Sequence, residues 1–446
     1  MQSSVIVAVC AILMLVFLFM KVPVYLAVLA ASAIYFVLNP YANPTVFAQQ
    51  SITGVESISL LAIPFFVCAG IVMNYTGVTS RIMNFCSMLT GRMTGGLAQV
   101  NVLLSTLMGG LSGSNLADAA MEAKMMVPEM EKAGFSKSFS TVVTAVSSMI
   151  TPLIPPGIAM ILYGCIANVS IGKLFISGIG VGAILCIAEM VLVAVISRKR
   201  GYQPMRTEKL TMKEVGKATK PAILPLCLPI IIIGGIRLGA FTATEAGAVA
   251  IIYAVILGIV YRELKWKDVL ATLKETVTST ASIMLIVSAA AVFSWILTKE
   301  QIPQQLTEWM MATIQNKYVF LLVVNVFLIL VGMFIEGNAS MIILVPLLAP
   351  VAASYGIDEI QFAMVYIFNN ALGAFSPPMG TLMFVTCGIT KCKTKDFIKE
   401  SAPFYILLFA VLLLLTYVPF CTTALDRKST RLNSSHPLSS RMPSSA

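Results

Sequence analysis

Charge is scarce in this 446-residue chain: 11% of its residues are Asp, Glu, Lys or Arg, against 58% that are apolar. Soluble domains carry about 25% charged residues, so a soluble enzyme is excluded; the length leaves room for about ten to twelve membrane spans of ~20 residues. Histidine is nearly absent: the single His436 lies in the tail. Gly110-Leu111-Ser112-Gly113 spells the G-x-S-G of intramembrane serine proteases, but no histidine stands in the apolar segments to activate the hydroxyl, so proteolysis is rejected. No Gly-x-x-x-x-Gly-Lys phosphate loop occurs, so ATP is not a direct energy source within the chain. The nine cysteines are scattered singly with no C-x-x-C pair, which argues against a disulfide framework or a zinc site.

The formal net charge of +10 does not imply nucleic acid as a partner. The basic residues fall in short loops between apolar runs, as the positive-inside rule requires. Arg81 and Arg92 mark one cytoplasmic loop; Arg198 to Lys220, Arg262 to Lys274 and Lys391 to Lys399 mark three more. The first apolar run, Val5 to Met20, has no basic residues before it and no small-residue cleavage site after it, and reads as a retained span.

With these anchors, spans at 3 to 20, 22 to 38 and 56 to 74 lead to two helical runs, 96 to 111 and 116 to 131. Each is ~15 residues, about 23 Å, too short for a ~30 Å hydrocarbon core, so they read as a re-entrant hairpin with Ser112 to Asn115 at its tip. A broken span, 138 to 151 and 158 to 168, follows around Ile154-Pro155-Pro156-Gly157; then come spans at 174 to 196, 221 to 236, 242 to 261 and 276 to 297. A second hairpin, 318 to 335 and 341 to 353, has Gly337-Asn338-Ala339-Ser340 at its tip; a second broken span, 361 to 373 and 381 to 390, surrounds Ser376-Pro377-Pro378-Met379-Gly380; the last span is 402 to 420.

Proline removes a backbone donor and glycine weakens a helix, so each device leaves unpaired carbonyls and amides at membrane depth. Lipid cannot satisfy them, and paired breaks in the two halves of a chain point to the binding site of a secondary transporter. The fold class is therefore an all-α integral membrane protein, an inverted-topology repeat with two re-entrant helical hairpins and two proline-broken transmembrane helices. Its divisions are 1–55, N-terminal spans; 56–168, first repeat transport half; 169–275, scaffold spans with cytoplasmic interfacial helices at 206 to 220 and 262 to 275; 276–391, second repeat transport half; 392–424, last scaffold span; and 425–446, a disordered and non-native tail.

Hard cations such as sodium want several oxygen ligands at once, and unwound carbonyls beside hydroxyls provide them. A first sodium site is expected from Ser112, Gly113, Ser114, Asn115, Thr151, Pro152, Pro155 and Gly157. A second is expected from Gly337, Asn338, Ser340, Ser376, Gly380 and Thr381. The competing reading is that these small residues only let helices pack closely. Acids inside spans cost roughly 2.5 to 3.5 kcal/mol each, so Asp118 and Glu336 are candidates for tuning the ion or substrate sites, with Pro156, Pro377 and Pro378 beside them. Capping of a half-helix is the alternative, above all for Asp118. Glu245, three residues after Thr242, has capping-box spacing. Glu189, alone in an apolar helix, is expected to face another helix or a polar partner subunit.

Gly109-Gly110-Leu111-Ser112-Gly113-Ser114 with Ala117-Asp118, Ile154-Pro155-Pro156, Phe241-Thr242-Ala243-Thr244-Glu245-Ala246-Gly247-Ala248-Val249 and Ser376-Pro377-Pro378-Met379-Gly380 together resemble the large membrane subunit of tripartite ATP-independent periplasmic (TRAP) transporters. The likeness runs from near the N-terminus to about Thr423. It implies a multi-pass protein of the bacterial inner membrane that imports an organic acid, a carboxylate, by sodium-coupled elevator motion. The implied partners are a small four-helix membrane subunit, expected as a separate chain because Met1 leads straight into the first span, and a periplasmic substrate-binding protein. Two departures stand out: Glu336 where the family often has Asp, and Gly157 where Ser is common, which leaves only backbone to contribute there. The rival reading is a stand-alone ion-coupled dicarboxylate or anion carrier that needs no binding protein.

Overall fold

A computed structural model describes residues 3–20, 22–206 and 211–424, and every regular element among them is helical. The tail expected to be disordered, 425–446, lies outside the described residues.

The first unit opens with a helix pair, α1 (Ser3–Phe19) and α2 (Val24–Leu38), followed by α3 (Thr45–Thr53), α4 (Ala62–Asn74) and the short α5 (Val78–Thr90). Its hairpin is α6 (Gly96–Ser112) with α7 (Asn115–Lys132); α8 (Lys137–Ser147) and α9 (Ile158–Ala167) flank the first proline loop, and α10 (Ile171–Arg200) ends the unit. The second unit repeats this order. Its pair is α11 (Met212–Arg237) and α12 (Ala243–Tyr261), then come α13 (Trp266–Lys299) and the short α14 (Ile302–Thr313). Its hairpin is α15 (Lys317–Gly332) with α16 (Gly337–Ser354); α17 (Glu359–Phe375) and α18 (Thr381–Thr390) flank the second proline loop, and α19 (Thr394–Tyr417) ends it.

One constant shift along the chain carries Asn115 onto Gly337, Thr144 onto Tyr366 and Pro155 onto Pro377. The packing obeys the same exchange. Helix α7 lies on α18 as α16 lies on α9; α4 lies on α12 as α13 lies on α2; α8 meets α19 as α17 meets α10. Reciprocal contacts of this kind are what a two-fold relation between units produces, and an odd number of crossings in the first unit inverts the second. The repeat therefore begins with the α1–α2 pair rather than at 56. The short helices break the exchange, α5 packing on α6 and α11 whereas α14 packs on α16 and α13, and so does the first hairpin, whose α6 packs closely on α4 and α10 as α15 does not on α13 and α19.

The hairpin arms have 17, 18, 16 and 18 residues; at 1.5 Å per residue they reach about 24 to 27 Å and stay short of a ~30 Å core. Among the described residues, six helices meet a length and apolarity criterion for crossing a membrane, the 18-residue arm α16 only just, and eight do if each of two bent pairs counts as one span.

Two expectations are corrected. The segments 206 to 220 and 262 to 275 are not separate interfacial helices: where described, they are the first turns of α11 and α13, which run on unbroken into the spans. A capping box, Thr211 with Glu214, starts α11, so Lys and apolar residues at helical spacing here mark a long helix whose start stands outside the apolar zone. The spans α10 and α19, expected in a surrounding scaffold, instead pack among the broken helices, against α17, α8 and each other. A stripe of small residues on α10 permits this: a Cβ at Gly178 would stand 2.4 Å from the Leu153 carbonyl oxygen. The α1–α2 pair is set apart, joined with α13 in a smaller core of its own through Ile6, Cys10, Val28, Val292 and Phe293. There the Tyr35 hydroxyl donates to Glu300.

Candidate functional site

The first hairpin turns because Gly113 adopts φ 63° at the end of α6, a left-handed conformation that glycine reaches without steric cost. Ser114 then extends into α7 with no side-chain cap. The tip is seated on the first proline loop: the Ile158 amide donates to the Gly113 carbonyl at 3.3 Å, and a Cβ at Gly113 would stand 2.6 Å from the Pro156 carbonyl oxygen. Pro155 presents its carbonyl to Gly110 in the same way. The second tip has no such turn. There Glu336 caps α16, accepting from the Ala339 amide at 3.1 Å, and Asn370 of α17 donates through Nδ2 to the Gly337 carbonyl at 3.0 Å. Both proline pairs, Pro155-Pro156 and Pro377-Pro378, are joined by cis bonds.

One small cavity of about 50 Å³ receives side chains and backbone from both tips and both breaks. Asn115 and Pro152 come from the first unit; Glu336, Gly337, Asn338 and Thr381 come from the second. A water occupies about 30 Å³ of liquid and ligand pockets run about 300 to 1,000 Å³, so this cavity holds something the size of an ion or a water. Two residues of the first expected set, Asn115 and Pro152, and three of the second, Gly337, Asn338 and Thr381, thus line one cavity, and the other nine do not. Ser112 has a buried hydroxyl without a partner. Thr151 donates to Asp118 Oδ2 at 2.8 Å. Gly157 has its Cα against the Pro152 carbonyl, where a Cβ would lie at 2.4 Å. Ser340 is turned to Tyr366, hydroxyl to hydroxyl at 3.2 Å, and Ser376 donates to the Leu372 carbonyl at 2.7 Å. Pro377 and Pro378 stand outside the lining. Gly380 sits in a cradle of oxygen: a Cβ there would stand 2.5 Å from the Ser376 carbonyl and 2.6 Å from that of Ala374.

The oxygen-bearing side chains of Asn115, Glu336, Asn338, Asn370 and Thr381 line the cavity, a donor set of the kind a hard cation takes. Asn370 Oδ1 is one such oxygen, buried and unpartnered. Among the described residues, no group of three or more His, Cys, Asp or Glu could hold a metal ion. Of the two acids, Glu336 takes the alternative role of helix cap, whereas Asp118, for which capping was the more expected alternative, is a buried acceptor of Thr151. Thr242 and Glu245 form the expected capping box of α12. Glu189 is 1% exposed and faces the interior of its own chain.

Asn370 was missed by the sequence reading, as were Ser105, Ser147 and Glu122. The Asn369-Asn370 doublet in an apolar helix, just before the second proline pair, was the available signal. Ser105 donates to Glu122 at 2.6 Å and contacts Ser147 at 3.0 Å, all fully buried; one helical turn separates Glu122 from Asp118 on α7.

Two hairpin tips meeting two proline-broken helices around one small cavity define a membrane transporter of the inverted-repeat class. Residues 11–421 match the family "Tripartite ATP-independent periplasmic transporter, DctM component", and the chain belongs to it. It is 39% identical to the sialic acid TRAP transporter large permease protein SiaM of Vibrio cholerae serotype O1 over 92% of this chain and 95% of that one. It is 34% identical to the 2,3-diketo-L-gulonate TRAP transporter large permease protein YiaN of Escherichia coli K12, covering 88% and 92%. It is also 34% identical to the C4-dicarboxylate TRAP transporter large permease protein DctM of Pseudomonas aeruginosa, covering 83% and 86%. Among solved structures, the YdaH transporter of Alcanivorax borkumensis shares the fold, with a TM-score of 0.58, 16% identity and coverage of 90% of this chain and 97% of that one.

Proposed function

We propose that this TRAP large permease imports an organic acid across the bacterial inner membrane by sodium-coupled movement of the hairpin-bearing body, receiving its substrate from a periplasmic binding protein and working beside a small four-helix membrane subunit. The observation that carries the reading is the cavity shared by Asn115, Pro152, Gly337, Asn338 and Thr381. A cation there would take oxygen ligands from both units and order the two tips together, so that a carboxylate arriving beside it meets positive charge. Relatives named for sialic acid, diketogulonate and C4-dicarboxylates support an organic acid as the substrate class.

The test is uptake in proteoliposomes containing the chain, the small subunit and the binding protein, with sodium replaced by choline at fixed pH and potential. Uptake should fall to background without sodium. Unchanged uptake would remove sodium coupling, and uptake that needs no binding protein would favour the stand-alone carrier.

A further inference from the structure

The cytoplasmic ends of the two units converge on a second, larger cavity of about 590 Å³ that the transport reading does not use. Its walls are the start of α8, the ends of α10 and α18, and the start of α19. Five basic side chains line it, Lys137, Arg200, Lys391, Lys393 and Lys399, against two acids, Asp396 and Glu400. Two of the five are neutralised locally: Arg200 pairs with Glu400 at 2.6 Å, and Lys137 with Glu131 at 3.4 Å. Lys391, Lys393 and Lys399 remain, opposed only by Asp396.

The cleft is held open by contacts that do not depend on an occupant. The Arg200–Glu400 pair ties α10 to α19, the Thr141 and Thr390 hydroxyls join α8 to α18 at 3.1 Å, and Arg200 lies 5.3 Å from the centre of the Phe139 ring. Its depth follows from chain geometry. Helix α18 starts at the midplane break and has 10 residues, so it rises about 15 Å, half of a ~30 Å core, and delivers Lys391 to the headgroup layer. Loop lysines that merely set orientation need no cavity; here cations from both units border a volume large enough for a headgroup.

We propose that this cleft binds a phosphate-bearing anion, held by Lys391, Lys393 and Lys399, and that its source is the headgroup of an acidic phospholipid in the cytoplasmic leaflet. The inference is independent of sodium coupling. An anion seated there would be held by the second unit's lysines, with the start of α8 and the end of α10 of the first unit as the facing wall.

The test is native mass spectrometry of the purified full chain titrated with phosphatidylglycerol, with phosphatidylcholine and inorganic phosphate as parallel arms. Each lysine near an anionic headgroup contributes about fivefold in affinity. The triple variant Lys391→Gln, Lys393→Gln, Lys399→Gln should therefore retain phosphatidylglycerol about a hundredfold more weakly. The variant Arg198→Gln, Lys199→Gln, Lys395→Gln, which removes equal charge outside the cleft, should bind as the parent does. Inorganic phosphate binding at millimolar concentration while phosphatidylglycerol does not would assign the same cleft to a free anion. Equal losses in the two triple variants, or no binding of either phosphate source by the parent, would overturn the proposal. If the cleft triple variant does not fold, Lys393→Gln alone should still show a loss of about fivefold.

Discussion

Gly373→Ala should unseat the second hairpin from its broken helix. Helices α15 and α17 cross with glycine on both sides, so that a Cβ at Gly373 would lie 2.6 Å from the Gly332 Cα, 2.7 Å from its carbonyl carbon and 3.1 Å from its oxygen. All three are backbone atoms that no rotamer change can move aside. Restoring ordinary contact requires the helices to part by about an ångström, an overpacking that costs about 1 to 3 kcal/mol. The better helix propensity of Ala offsets about 1 kcal/mol. Because the clash is with backbone, the upper part of the range applies, and the net destabilisation is about 2 kcal/mol. The same displacement draws Asn370 from the Gly337 carbonyl, 3.0 Å away, so uptake should fall further than stability alone accounts for. Gly388→Ala is the control: an exposed helical position with nothing within 4 Å of a built Cβ, where Ala should be neutral or stabilising. Thermal unfolding of the purified variants and uptake in proteoliposomes measure both quantities. A Gly373→Ala protein that melts with the parent and transports at its rate would refute the close-crossing argument.

Thr151→Val removes the hydroxyl that donates to Asp118 Oδ2 and leaves a fully buried carboxylate without that donor, a loss of about 1 to 3 kcal/mol; a lowered melting temperature with Thr151→Ser close to the parent is the expected pattern. Glu336→Ala deletes the α16 cap at a cost of about 1 kcal/mol, whereas Glu336→Asp should keep most of it, and melting curves of the two variants check the difference. If the hairpin body moves as a unit, joining Ser294→Cys of α13 to Ala349→Cys of α16, which line one cavity, should stop uptake after crosslinking and restore it on reduction. The nine native cysteines, all free, must first be replaced, and turnover that survives a verified crosslink would exclude displacement of α16 along α13.

The tips and breaks were legible because Ser112 to Asn115 and the two proline pairs combine residue types that lipid-exposed helices exclude, and polar, donor-poor backbone at that depth has few explanations. Other features depended on shape. Gly178 reads as an ordinary small residue until Leu153 is found pressed against it, and with it the place of α10 inside the hairpin body. The short helices α5 and α14 carry too little apolar length to register as spans. The boundary between loop and span was misplaced at α11 and α13 for a related reason: a helix can begin in water and continue into lipid with no break in its hydrogen bonds, so the change in composition marks the membrane surface and not the helix end. Asn370 was missed because the count of oxygen ligands was confined to the loops, whereas the helix beside the loop supplies one as well.

The two units share a backbone plan but not a polar interior. The first unit buries Asp118, Glu122 and Glu189, each at most 1% exposed; the repeat shift carries these positions onto Ser340, Leu344 and Val411. The fold therefore does not require acids there, since its other half forms the same elements without them. In their place the second unit runs a neutral chain, Asn369 donating to Asn325 and Asn325 to Thr416, each at 2.9 Å. These amides carry no charge that must be compensated, although the Asn369 Oδ1 oxygen is left buried without a partner. A carboxylate accepts only, and three of them in hydrocarbon, at roughly 2.5 to 3.5 kcal/mol each, must be offset by protons, hydroxyl donors or cations. The hydroxyls of Thr151 and Ser105 supply part of that offset. The first unit thus keeps its buried acids behind the tip, on α7 and α10, while the second places an acid at the tip itself, where Glu336 caps α16 beside the cavity. One duplicated backbone thus supports two different polar interiors, acidic in one half and amide in the other.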